Sequence, residues 1–232
     1  MLAQLRQLDD ADWDRPTDCT DWTVHDIAAH VTGAMDEGAH VRVMLRHMRA
    51  AKRIAQSSMV DGLNEAQIAD RSTWSGTRII EDLARLAPKG VHRRRKTPAL
   101  LRSRTVPGDD LPAGSTFGYL FDVIYARDLW MHRIDIARAT GCPLMPTESD
   151  TLVVTQVVRD LARYWDGPPL VLQLTGEAGG SWLLGTGSPV ATVRADAVEY
   201  CRLLSGRTAD PEFAIDGDEA VRDALAAARV TF

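Results

Sequence analysis

Residues 117–139 read FGYLFDVIYARDLWMHRIDIARA, and the fold turns on how this stretch is placed. It contains no Pro and a single Gly near its start, and it is long enough for several helical turns. On a helical wheel of about 100° per residue with Asp128 at the origin, Phe117, Phe121, Ile124 and Met131 fall within about 60° of it. That arc is a core-facing stripe, and Asp128, His132 and Asp135 lie in its middle. An unpaired carboxylate is costly in a core, so the pattern demands a compensating partner. Asp128 and His132 stand at i and i+4 and can grip one cation together. The alternative is a buried Asp–His pair held by arginine, and spacing alone does not separate the two.

Upstream, Leu2, Leu5 and Leu8 predict a first helix over residues 2–10, which DWDRPTDCTDWT then breaks at Pro16. Thr23 is a good N-cap with Asp26 three residues on, a shortened capping box. The helix that follows is expected to run to about Gln56 with a kink near Gly38, and its apolar side carries Val24, Ile27, Ala28, Val31 and Met35. His30 lies at the edge of that side beside Gly33 and Ala34, where small residues leave room for a ligand to approach the imidazole. His25, His40 and His47 share no face with an acid and read as solvated or structural. A connection over residues 57–75 with a short helix at 63–70 leads to a helix from Gly76 to Leu86, which Pro88 ends or bends. Residues 105–116, TVPGDDLPAGST, are a loop. Four long helices before residue 140 predict a four-helix bundle over residues 1–141.

Downstream of GCPLMPTESD the composition changes. Residues 147–165 read as a helix. Short strands are expected at Leu170–Leu174, Ser181–Leu184, Ala191–Arg194 and Glu212–Ile215, with helices at Ala195–Ser205 and 217–229. Strands beside helices in so short a span predict a small α+β domain over residues 147–232. The fold class is therefore an α bundle followed by an α+β domain.

The bulk composition excludes several functions. Net charge is −5, against affinity for polyanions, and the one dense basic run, Arg93-Arg94-Arg95-Lys96, lacks interleaved aromatics. Nucleic-acid binding is not expected. No apolar run reaches about 18 residues, so no membrane span is expected. The three cysteines, Cys19, Cys142 and Cys201, contain no CxxC and favour a reducing cytoplasm over a disulfide framework. No signal peptide, Walker, GxGxxG or GxSxG motif is read.

His30, Asp128 and His132 stand out as ligand candidates. Two nitrogens and a carboxylate suit zinc, nickel or iron, with a position left for water or substrate. Asp135, one turn beyond His132, can orient a ligand or pair with an arginine. The stretch DWDRPTDCTDWTVHDIAAHVTG resembles the N-terminal signature of the mycothiol-dependent maleylpyruvate isomerases, DinB-like metal-binding bundles. The matching residues are Trp13, Pro16, Thr17, Cys19, Trp22, Thr23, Val24 and His30. The family's later acid-x-x-x-His pair, often with Glu first, falls on Asp128 and His132. The C-terminal LVLQLTGEAGGSWLLG, ADAVEYCRLLSGR and IDGDEAV are similar to the sterol-carrier-like domain attached to these enzymes.

The resemblance implies a cytoplasmic enzyme with a divalent metal, zinc before nickel or iron, held by His30, Asp128 and His132. It further implies the low-molecular-weight thiol mycothiol as a partner, and a small electrophilic substrate such as maleylpyruvate that is isomerised or receives the thiol. An arginine of the second domain is expected to hold an anionic group, Arg207 in the SGR turn first and Arg202 second, with Asp135 completing the catalytic set. A thiol-independent metal hydrolase and a non-catalytic small-molecule-binding protein are the alternatives. Whether the chain is a monomer or a dimer is left open.

Overall fold

The computed structural model describes residues 1–19, 21–54, 58–108 and 111–232. The chain forms two compact units, Met1–Asp122 with His132–Leu144, and Val123–Met131 with Met145–Phe232.

In the first unit, α1 is a single turn, Leu2–Leu5, shorter than its leucine spacing predicts; Leu5 alone is fully buried. Helix α2, Val24–Ala39, starts at the expected capping box: the Thr23 side chain accepts from Asp26 N–H and the Asp26 carboxylate accepts from Thr23 N–H. It stops at His40, whose backbone is extended, and α3, Val41–Ile54, begins a new axis. The one kinked helix expected here is thus two helices broken at His40, and the end expected at Gln56 lies outside the described residues. Helix α4, Met59–Ala69, opens earlier than expected, capped by Ser58 on Asp61 N–H.

Helix α5, Gly76–Arg95, runs through Pro88 rather than stopping there. Pro88 lies on the exposed side, where water can satisfy the carbonyl left without its N–H, while Ile79, Leu83, Leu86 and Gly90 are buried along α2. The basic run after it is partly consumed by structure. Arg93 donates to Ala39 O at 2.7 Å and Arg94 to Ala34 O at 2.6 Å, so two cations sit at the negative end of α2. After α6, Ala99–Arg102, a bridge between Thr105 and Thr116 closes the predicted loop, of which Asp109 and Asp110 lie outside the described residues.

The decisive stretch is not one regular helix. A short turn, α7 at Phe117–Tyr119, passes into a π-helical segment, Leu120–Ile124, before α8, Tyr125–Thr140. The wider π turn rotates everything before it relative to α8, so Phe117 and Phe121 leave the predicted stripe and are only half-buried. Within α8 the phase holds. Enclosure, however, is all round the helix rather than on one stripe, since Arg127, Trp130, Met131, His132, Ile134, Asp135 and Ile136 are all buried.

The second unit gathers α9, Glu148–Arg163, a four-stranded sheet, and two short helices. The strands are β1 Leu170–Thr175, β2 Gly180–Leu184, β3 Ala191–Asp196 and β4 Ala214–Gly217, in the order β2-β1-β3-β4. β1 pairs antiparallel with β2 and parallel with β3, and β3 pairs antiparallel with β4, two residues later than expected. Leu170, Leu172 and Leu174 of β1 and Ala191, Val193 and Ala195 of β3 turn one face inward, and α9 contributes Val153, Val154, Val157, Val158 and Leu161 to the core. Helix α10, Ala197–Leu204, is capped by Asp196, and α11, Val221–Ala227, closes the chain. Arg127 belongs to this unit: its guanidinium donates to Asp160 Oδ2 at 2.7 Å, to Thr231 O at 3.1 Å and to Gln156 O. No helix among the described residues is long and apolar enough to cross a membrane.

Candidate metal centre

The signature before α2 folds as a tight hairpin. Pro16 and Thr23 form an antiparallel bridge, Thr17 N–H donates to Trp22 O at 3.0 Å, and Trp22 N–H donates to Cys19 O at 3.0 Å. The Thr17 hydroxyl donates to Trp22 O at 2.9 Å, and Asp21 takes a left-handed φ of +68° to complete the turn. Thr20 lies outside the described residues.

This hairpin delivers Trp22 onto two imidazoles. Its ring centroid lies 5.1 Å from that of His30 and 5.8 Å from that of His132, and the two imidazoles are 5.2 Å apart at 76°. His30 is set by the first turns of α2 and His132 by the middle of α8, and both are buried. Asp128 lies one turn before His132 on the same unbroken helix and is half-buried. One ligand atom each from His30, Asp128 and His132 lie within 4.8 Å of one another.

Atoms bound at about 2.0–2.2 Å to one ion stand roughly 3–4 Å apart, so small side-chain rotations bring this set onto a single cation. Two imidazoles and a carboxylate are the donor types for zinc, nickel or iron with a coordination position left over. The set fits a divalent metal. Asp135 is fully buried, and its Oδ2 lies 3.0 Å from His132 Nδ1. A carboxylate there accepts the Nδ1–H, which leaves Nε2 as the lone-pair nitrogen of His132.

Three contributions were not read as part of the site in advance. Cys19, Asp135 and His132 form a second group of potential ligand atoms within 4.8 Å of one another. In the sequence Cys19 and Trp22 are only letters of the N-terminal signature; the hairpin shows what that signature builds. Gln67 of α4 meets His30, with Oε1 2.7 Å from His30 Nδ1. A glutamine in the short helix expected at 63–70 carries no local signal that could have found it.

The two candidate arginines lie in the second unit. Arg202 is fully buried; Nη1 donates to Glu199 Oε2 at 2.5 Å and Nη2 to Thr208 O at 2.8 Å. Arg207 is half-buried just past the end of α10. There Gly206, at φ +81°, donates to Leu203 O, and Arg207 N–H donates back to Arg202 O at 3.1 Å. This is a Schellman closure, which needs the left-handed glycine and fixes the direction in which the chain leaves the helix.

No curated protein matches the chain. Its fold is similar to the crystal structure of the mycothiol-dependent maleylpyruvate isomerase, at 19% identity and a TM-score of 0.55. It is equally similar to a histidine-to-alanine mutant of the mycothiol-dependent maleylpyruvate isomerase, at 20% identity and 0.54. Each comparison covers 94% of this chain and 88% of that one. At that identity the likeness establishes the fold, a helical region followed by a small four-stranded sheet with helices. Residues 1–137 match the family described as the mycothiol maleylpyruvate isomerase N-terminal domain, and the chain belongs to that family.

Proposed function

We infer that the chain is a divalent-metal-dependent enzyme that uses mycothiol on a small, electrophilic, anionic substrate of the maleylpyruvate type, as an isomerase or a thiol transferase. The observation that carries the reading is the convergence of His30, Asp128 and His132 within 4.8 Å in a member of this family. These three side chains would hold the ion, zinc before nickel or iron. When bound, such an ion lowers the pKa of a thiol or water and so supplies a nucleophile near neutral pH.

The chain's own groups do the rest. Asp135 holds the proton on His132 Nδ1 and keeps the ring in its ligating orientation. Trp22 packs against both imidazoles, which are buried. Arg207 is the first choice for the substrate's carboxylate because it is half-buried, with Nη1 donating to the Ser205 hydroxyl at 3.2 Å, whereas Arg202 is fully buried and donates to Glu199 and Thr208. In this reading residues 1–141 form the DinB-like metal-binding part and residues 147–232 the sterol-carrier-like part. Three cysteines with no disulfide support a reducing cytoplasm.

The test is turnover by the purified protein. Elemental analysis is expected to return close to one divalent metal per chain, and maleylpyruvate is expected to be consumed only when mycothiol is added. Equal turnover without thiol moves the reading to a metal hydrolase, and absence of both metal and turnover moves it to a binding protein. Arg207→Ala is expected to raise KM for an anionic substrate about tenfold or more with the fold intact, the effect of losing a charge-assisted contact. An unchanged KM removes Arg207 from the site.

A further inference from the structure

Behind His30 runs a continuous line of side chains, leading from the interior to the surface, that the ligand set does not include. His30 Nδ1 lies 2.7 Å from Gln67 Oε1, and Gln67 Nε2 donates to Glu37 Oε1 at 2.8 Å. The same Glu37 oxygen lies 2.7 Å from His47 Nδ1, and His47 Nε2 lies 2.7 Å from Asp70 Oδ2. Arg46 closes the line at the surface by donating to Asp70. His30, Gln67 and His47 are each no more than 5% exposed.

The line has a direction. An ionised carboxylate only accepts, so Glu37 requires a donor from each neighbour. The amide of Gln67 must therefore turn its NH2 toward Glu37, which turns its oxygen toward His30. An amide oxygen accepts, so His30 must carry its proton on Nδ1, and Nε2 becomes the lone-pair nitrogen. His47 braces the far side by donating Nδ1–H to Glu37 and Nε2–H to Asp70. Its place between two carboxylates outweighs the burial that opposes its charge.

Backbone packing holds Gln67 in reach. A Cβ on Gly33 of α2 would lie 2.6 Å from Gln67 Cβ, so only glycine lets α4 come this close, one turn from His30.

We propose that Gln67, Glu37 and His47 are positioning residues for His30: a one-way hydrogen-bond chain that locks it as the Nδ1–H tautomer and aims Nε2 at the metal. The proposal rests on reading His30 as a metal ligand. It reproduces on the α2 side, with side chains from three helices, what Asp135 does for His132 within one helix. Each imidazole then has its own anchor.

The tautomer can be read in the metal-free full-length protein from the ring 15N shifts of His30, without any variant. An Nδ1–H ring in the wild type supports the proposal, and an Nε2–H ring overturns it. Zinc affinity, measured by competition with a chromophoric chelator, gives the second readout. Gln67→Met, similar in size but without the amide, is expected to bind zinc about 10–100-fold more weakly, the usual effect of losing such a partner. Glu37→Gln removes the acceptor-only group while leaving the amide chain intact, and is expected to fall between Gln67→Met and wild type. Affinities within twofold of wild type in both variants overturn the proposal. If Gln67→Met does not fold, Glu37→Gln and the wild-type tautomer still decide. Failure of the wild type to bind zinc at all sinks the ligand reading instead, and the ring shifts then judge the direction of the chain by themselves.

Discussion

His47 carries a carboxylate on each ring nitrogen, Glu37 from α2 and Asp70 from just beyond α4, with Arg46 also facing Asp70. Burial opposes the charged ring, but the two hydrogen bonds and two negative charges win and raise its pKa above the ordinary 6.5. A raised folded-state pKa means that the contribution to stability is complete below about 6.5 and is lost as pH climbs through the folded value. The unfolding free energy from urea titrations at fixed ionic strength is therefore expected to decline with rising pH above 6.5. In His47→Gln that decline should be absent; a wild type and variant with parallel pH profiles would refute the assignment. Cys201 offers a second single-residue test. Burial pushes its thiol up to about 12, so iodoacetamide at pH 8 should leave it unlabelled in the folded protein and label it only after denaturation. Legibility at this scale follows sequence distance. The Thr23–Asp26 cap and the Asp128–His132 pair were readable because three or four residues along a helix settle the geometry. His40 does share its face with an acid, contrary to expectation: Asp36 stands four residues before it and the two meet at 2.7 Å. His47 and Gln67 gave no signal, since their partners come from other helices.

Elements obey packing that composition does not announce. The π segment at Leu120–Ile124 shifts the phase of the stretch 117–139, and no residue there marks it, which is why Phe117 and Phe121 were drawn into a stripe they do not share. The break at His40 was anticipated two residues early, at Gly38, as a kink. Gly38 is needed for another reason: a Cβ there would sit 3.0 Å from Arg94 Nε and 3.2 Å from Gly90 Cα. Glycines of α2, and Gly90 of α5 facing it, are thus contact points, and two substitutions test this. On Gly90→Ala the new methyl carbon would meet Met35 O at 2.7 Å, and on Gly33→Ala it would meet Gln67 Cβ at 2.6 Å. Each is expected to lower stability by about 1–3 kcal/mol in chemical denaturation, the range for overpacking. They should differ in metal binding. Gly33→Ala displaces the residue that contacts His30 and should weaken zinc affinity, whereas Gly90→Ala should leave it near wild type. Equal effects on affinity would mean that general loosening, not the Gln67 contact, is being measured.

At the scale of the molecule the sequence showed its two compositions clearly, and the strand and helix order of the second half came through with shifts of a residue or two, and of four at the start of the last helix. The linker GCPLMPTESD was also visible. What composition could not show is that the second compact unit also contains Val123–Met131, upstream of that linker. The signal is absent because those residues belong to a helix that reads as continuous. A fragment of residues 1–144 would strip Arg127 of Asp160, of Gln156 O and of Thr231 O, and would remove Met145–Phe232, the part of the unit that residues 123–131 pack in. The expected outcome is a fragment whose α8 frays from its start through Asp128, with no cooperative thermal transition and little zinc bound. A fragment that melts cooperatively and holds stoichiometric zinc would show that α8 stands without the second unit. The interleaving also bears on how such chains can be recombined. A chimera joined at the linker would inherit the core strip of one parent and the sheet of the other, mismatched around Arg127. To exchange the C-terminal half intact, the graft must carry residues 123–131 with it, and with them Asp128.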